Sequence, residues 1–105
     1  MLELTKETFE DEVLKSQGTV LVDYYSDGCV GCQELAPFIH GMEEKYGSKI
    51  KFTSLNILKA RRLAIGQRIL GIPVIAIYRG GEKAEELVKE DATEKNIEAM
   101  VAKYL

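Results

Sequence analysis

The segment Thr19-Val20-Leu21-Val22-Asp23-Tyr24-Tyr25 is β-branched, aromatic or aliphatic at nearly every position, and a few residues later the chain changes to helical spacing. A strand apolar on both faces has to be covered on both faces. That requirement admits a sheet sandwiched between helices and leaves little room for a bundle or an open antiparallel sheet. The junction between strand and helix is occupied by Cys29-Val30-Gly31-Cys32, which holds the only two cysteines of the chain. Asp23 is the single acid in the apolar run.

The chain of 105 residues, 46% hydrophobic, suits one domain spanning residues 1–105 that buries its core without crosslinks. A net charge of −3 argues against nucleic acid or an anionic membrane as partner. Arg61-Arg62 is the one candidate basic patch, and it reads as the solvated face of a short helix. Met1-Leu2-Glu3-Leu4-Thr5-Lys6-Glu7 has neither a basic leader region nor an apolar one, and no stretch approaches the ~20 apolar residues of a membrane span. These features predict a cytoplasmic chain with no membrane association. In a reducing compartment a close cysteine pair is catalytic or metal-binding rather than a crosslink.

Around the junction the chain reads as alternating elements. Thr5 is a candidate N-cap, with Glu7, Glu10 and Asp11 in the first turns and Phe9, Val13 and Leu14 as the apolar stripe of a helix ending near Gly18. From Cys32, the positions Leu35, Ala36, Ile39, Met42 and Tyr46 recur at helical spacing, with Pro37 predicting a kink and Gly47 the stop. Ile50 to Leu55 alternates as a strand, Lys59 to Ile69 suggests a helix, and Pro73 to Tyr78 is a second strongly apolar strand before the Gly80-Gly81 turn. Glu82 to Val88 reads as a charged edge strand. Asp91-Ala92-Thr93-Glu94 has capping-box spacing ahead of the stripe Ile97, Met100, Val101, Tyr104 and Leu105. The expected order is α-β-α-β-α-β-β-α, a mixed sheet with helices on both faces.

A helix N-terminus points unpaired N–H groups at the first cysteine and favours its thiolate, so the pair suits reversible thiol–disulfide exchange. Zinc would need four ligands, and the only histidine, His40, lies eight residues beyond Cys32, about 12 Å along the same helix. A c-type haem site would need histidine where Gln33 stands. An inert pair of core cysteines stays open on spacing alone.

The run Val20 to Tyr25, the Cys29-x-x-Cys32 pair, Pro37, Leu55-Asn56-Ile57, Gly71-Ile72-Pro73 and Gly80-Gly81-Glu82 together resemble the thioredoxin family over nearly the whole chain. The resemblance implies the thioredoxin fold, a central mixed β-sheet flanked by four helices. It implies that Cys29 is the exposed nucleophile, Cys32 the resolving thiol, Asp23 the buried acid beneath them and Pro73 a cis-proline facing the disulfide. Ile72 would then offer its backbone to a substrate strand, and Gly28, Val30 and Gly31 would complete the substrate-binding rim. From the residues alone an X–Pro bond is expected trans. Asp23 inside an apolar strand would have a raised pKa and accept the proton of Cys32, the competing reading being an aspartate satisfied by backbone at a strand end. The implied activity is reduction of disulfide-containing protein substrates by a monomer, recharged by a thioredoxin reductase, with no bound cofactor and no metal.

The chain departs from the family pattern at the site. Gly28-Cys29-Val30-Gly31-Cys32 stands where Trp-Cys-Gly-Pro-Cys is usual, and there is no tryptophan. Gly31 loosens the dithiol form, which makes the disulfide a somewhat stronger oxidant. Val30-Gly31 adds no positive charge to favour the thiolate. Ser54 stands in place of the family's lysine near the buried acid, and the glycine before the last helix is missing around Lys89-Glu90. His40 reads as a solvated helix residue, and Tyr24 and Tyr25 as core and under-site packing rather than acid–base groups. Two other functions remain compatible with the sequence: a glutathione-linked, glutaredoxin-like oxidoreductase, and a binding module in which the dithiol is incidental.

Overall fold

The computed structural model describes every residue from Met1 to Leu105. Along the chain it has β1 (Leu2–Leu4), a π-helical segment (Glu10–Leu14), β2 (Thr19–Tyr25), α1 (Val30–Tyr46) and β3 (Ile50–Asn56). A 3-10 turn (Ile57–Lys59), α2 (Arg61–Gly66), β4 (Val74–Arg79), β5 (Glu82–Val88), a second 3-10 turn (Lys89–Asp91) and α3 (Glu94–Ala102) follow. The five strands form one sheet in the order β1-β3-β2-β4-β5. β1 and β2 run parallel to β3, whereas β4 is antiparallel to β2 and β5 to β4. This is the arrangement that the resemblance implied, a central mixed sheet with four helices counting the π-helical segment.

The two-sided apolar pattern of β2 and β4 sorts into two cores. Val20, Val22 and Tyr24 join Val74, Ala76 and Tyr78 on one face, where Phe9, Val13, Ala60 and Ala64 cover them. Leu21, Ile75 and Ile77 point the other way and pack against Ile39 and Met42 of α1 and Ile97, Met100 and Val101 of α3. Because strand side chains alternate, Asp23 shares the face of Leu21 and lies on the α1 side of the sheet.

Local chemistry sets the element ends. The Thr5 hydroxyl accepts from Glu7 N–H at 3.2 Å and Thr8 N–H at 3.3 Å, and the Thr8 hydroxyl accepts from Thr5 N–H at 2.9 Å, a reciprocal pair in the turn ahead of the first helical segment, whose own N-cap is Phe9 and not Thr5. That segment is π-helical rather than α-helical, with Lys15 N–H reaching back five residues to Glu10 O at 2.8 Å. Pro37 lies inside α1 without interrupting it. The expected helix from Lys59 to Ile69 is shorter, because Ala60 leaves helical geometry at φ −149° and Arg68 adopts φ +62°. Ile69 N–H then returns to Ala64 O at 2.8 Å and closes the end of α2. α3 is capped by Thr93, not Asp91: the Thr93 hydroxyl accepts from Asn96 N–H at 3.1 Å, while the Asn96 amide donates to Asp91 O at 3.0 Å. Gly80 and Gly81, at φ +62° and +83°, make the two-residue turn between β4 and β5. A Cβ at Gly81 would run into the Leu14 carbonyl.

β1 is the strand that the sequence pattern does not show. Leu2-Glu3-Leu4 is too short to display a period, and it forms by pairing with β3 in the register Leu2↔Thr53, Glu3↔Ser54 and Leu4↔Leu55. No helix is long and apolar enough to cross a membrane.

Candidate active site

α1 begins at the cysteine pair. Cys29 is its N-cap, extended at φ −88° and ψ 105°, and its N–H donates to Ser26 O at 3.2 Å. The Cys29 sulfur accepts the Cys32 N–H at 3.1 Å, and Cys29 O accepts the Gln33 N–H at 3.1 Å. Sulfur therefore fills the acceptor role that a serine or aspartate oxygen takes at most helix starts. The same N–H and the positive end of the helix dipole favour the thiolate when the bond is reduced. Gln33 Nε2 donates to Asp27 O at 2.8 Å and ties the preceding loop to the helix. The two cysteines are joined as a disulfide with a Cα–Cα distance of 5.2 Å. Cys32 is 5% exposed, whereas Cys29 is half-buried at the helix tip.

Under Cys32 lies a cavity of about 310 Å³ that also takes in Asp23, Glu3, Tyr25, Ser54 and His40. Asp23 is 7% exposed. Its pKa is pushed up to about 7, first by burial and second by the negative charge of Glu3. No hydrogen bond to its charged form offsets these effects, which weakens the reading of a satisfied strand-end aspartate. Burial and a hydrogen bond to Glu3 hold the Tyr25 hydroxyl well above the usual phenol range.

On the other side of the disulfide, a Cβ built on Gly31 would sit 3.5 Å from Pro73 Cδ, so the cysteine loop lies against the Ile72-Pro73 segment. The Ile72–Pro73 bond is cis, as the family resemblance implied and against the trans form favoured by the residues alone. A groove of about 530 Å³ runs between Gly31 and Ile72-Pro73, and Glu34, Lys89, Glu90 and Glu94 line it as charged groups. Val30 is 65% exposed, and Gly28 is exposed with open space where a side chain would extend. Val30 therefore places an exposed aliphatic side chain next to Cys29 in sequence, and no indole stands there. Lys89, near the missing glycine, takes φ +52° and donates its N–H to Pro73 O at 2.7 Å, so the turn keeps a glycine-like backbone without glycine.

Sequence reasoning missed three residues of the site. His40 is exposed as expected, yet it borders the cavity holding Cys32 and Asp23, because Cys32, Ala36 and His40 follow one another at four-residue spacing on one face of α1. Tyr25 is not merely packing, since its hydroxyl donates to Glu3 Oε2 at 2.8 Å. Glu3 reaches the site only because β1 pairs with β3, and three residues carry no period that could have signalled it. No group of three or more His, Cys, Asp or Glu side chains is arranged to hold a metal ion.

A half-buried sulfur at a helix N-terminus, bonded to a buried second sulfur that shares a cavity with an acid of raised pKa, supplies the parts needed for stepwise thiol–disulfide exchange. The family profile described as Thioredoxin matches residues 1–103. The chain is 56% identical, over 105 residues and the full length of both chains, to a thioredoxin of Acetoanaerobium sticklandii. It is 50% identical over 105 residues to a thioredoxin of Peptoclostridium acidaminophilum, covering all of this chain and 96% of that one. A thioredoxin of Streptomyces clavuligerus is 35% identical over 85 residues, 81% of this chain and 78% of the relative.

Proposed function

The chain belongs to the thioredoxin family and is a thiol–disulfide oxidoreductase of the protein-disulfide-reductase type, and from that premise we propose how its residues divide the reaction. Cys29 is the attacking sulfur, Cys32 the resolving sulfur and Asp23 the base that serves Cys32. The observation that carries this reading is the contrast between the two sulfurs: that of Cys29 accepts an N–H at the helix start, and that of Cys32 is buried over the cavity of Asp23.

In the first step the Cys29 thiolate attacks one sulfur of a substrate disulfide. A Cys29–substrate bond forms, the substrate S–S bond breaks and one substrate thiolate leaves. In the second step Asp23 takes the proton of the Cys32 thiol, and the Cys32 thiolate attacks the Cys29 sulfur. The Cys29–substrate bond breaks and the second substrate thiolate is released. Two electrons have passed to the substrate, and the Cys29–Cys32 disulfide remains. With a pKa near 7, Asp23 is a stronger base than an ordinary carboxylate and is still substantially ionised at neutral pH.

Gly28, Val30, Gly31, Ile72 and Pro73 form the substrate rim, and the peptide segment around the target disulfide lies in the groove between Gly31 and Ile72-Pro73. The chain acts as a single-domain monomer in the cytoplasm, on disulfide-containing proteins, with a thioredoxin reductase as electron donor. Insulin reduction driven by a thioredoxin reductase and its nicotinamide donor tests this. Turnover with the reductase supports the reading, and turnover that requires glutathione instead overturns it.

A further inference from the structure

Glu3, Ser54 and Asp23 lie side by side across three strands. β1 pairs Glu3 with Ser54, and β2 pairs Asp23 with the same Ser54. Side chains at laterally aligned positions share a face. All three border the cavity under Cys32. Glu3 is exposed at the sheet edge, but its carboxylate is held at both oxygens. Ser54 Oγ donates to Oε1 at 2.6 Å and Tyr25 Oη donates to Oε2 at 2.8 Å. The serine at the position of the family's lysine thus removes a positive charge from the neighbourhood of Asp23 and anchors a negative one there.

Resting on the assignment of Asp23 as the base for Cys32, we propose that Glu3 is a positioning residue for the resolving step: its carboxylate, clamped by Ser54 and Tyr25, holds a fixed negative charge on the wall of the cavity that Asp23 shares with Cys32. Glu3 touches neither sulfur and acts only through Asp23. The other groups around the cavity are Tyr25 on β2, Asp27 in the loop before α1, and Cys32 and His40 on α1. Met1 also borders it, and its amino group is paired with Glu43 at 3.0 Å. Glu3 is the one among them whose charge raises the pKa of Asp23.

The experiment reads Asp23 in two ways. Carboxyl-carbon NMR of the disulfide form follows its ionisation without any turnover. Single-turnover reduction of an aryl disulfide isolates the resolving step, because release of the second aryl thiolate reports the Cys32 attack. Two charges across two strand spacings in a partly exposed cleft interact enough to move the titration by roughly 0.5–1 pH unit. Glu3→Gln is expected to shift the Asp23 titration and the acid limb of the resolving rate to lower pH by that amount. The plateau rate should fall roughly two- to threefold because the base is weaker. Glu3→Asp restores the wild-type profile in part, and Ser54→Ala, which releases one carboxylate oxygen, moves it in the direction of Glu3→Gln. If Glu3→Gln leaves the Asp23 titration unmoved, the role of Glu3 is overturned even if the rate falls. Asp23→Asn separates the two readings: loss of the acid limb in that variant keeps Asp23 as the base, whereas a limb that persists removes Asp23 and the Glu3 role with it.

Discussion

The Cys29 sulfur accepts the backbone N–H of Cys32 at 3.1 Å, so the first cysteine caps the helix that carries the second. The bond places one sulfur at the positive end of the helix dipole and leaves the other inside the first turn, 5% exposed. The two cysteines therefore differ in chemistry although they are three positions apart.

Cys29→Ser is expected to abolish reduction of disulfide substrates, because a serine hydroxyl is not ionised near neutral pH. Cys32→Ser should keep the first attack and accumulate the mixed disulfide, since only the resolving step is lost. Mass spectrometry of each variant after mixing with a disulfide peptide distinguishes them. Trapping by Cys29→Ser would reverse the assignment.

Asp23 links stability to pH. Its pKa rises from 3.8 to about 7 on folding, so between these values the folded chain holds a proton that the unfolded chain has released. Stability accordingly falls as pH rises through this window, and the full cost is present above about pH 7. Asp23→Asn removes the cost, with an expected gain on the order of 3 kcal/mol at pH 8 that shrinks towards zero near pH 4. Urea melts of the oxidised protein at the two pH values measure it. A gain that does not depend on pH would point to packing instead of ionisation.

Gly31 sits at the second helical position of α1, outside the left-handed region, and a Cβ there would meet Pro73 at an ordinary 3.5 Å. Gly31→Ala should thus fit both redox forms while restricting the freer dithiol loop. The gain of ~0.4–1 kcal/mol expected for such a change corresponds to a reduction potential lower by about 10–20 mV. Titration against a glutathione buffer, with the disulfide fraction read by alkylation, is sensitive enough. An equal or higher potential would show that thiolate electrostatics, not loop entropy, sets the poise.

On the far side of the sheet the Tyr24 and Tyr78 hydroxyls lie 2.7 Å apart, and Tyr78 donates onward to Gln67 Oε1 at 2.7 Å. Burial pushes the Tyr78 hydroxyl up to about 12, so both tyrosines stay neutral donors under ordinary conditions. Tyr78→Phe strands the Tyr24 hydroxyl and is expected to cost about 2–3 kcal/mol. Tyr24→Phe leaves Tyr78 bonded to Gln67 and should cost only about 1 kcal/mol. Denaturant melts of the two variants give the comparison, and equal losses would mean that the chain of hydroxyls is not what these residues contribute.

Much of this molecule is legible in the amino-acid sequence because the relevant physics is local. The two-sided apolar run of β2, the helical stripe of α1, the Gly80-Gly81 turn and the cysteine pair at a strand-to-helix junction each follow from residue type and spacing within about a dozen positions. They were enough to define a mixed sheet between helices and to single out Cys29, Cys32 and Asp23. What only the tertiary structure decided is what lies next to those residues. Glu3 stands fifty-one positions from Ser54, yet the two are hydrogen-bonded, because a three-residue strand too short to show a period finds its partner in β3. His40 borders the cavity through the direction in which its helix face points, and Lys89 adopts a left-handed backbone as its N–H meets the Pro73 carbonyl. Sequence spacing records neither sheet register nor the orientation of a helix on a sheet, and the charge that Asp23 experiences depends on both.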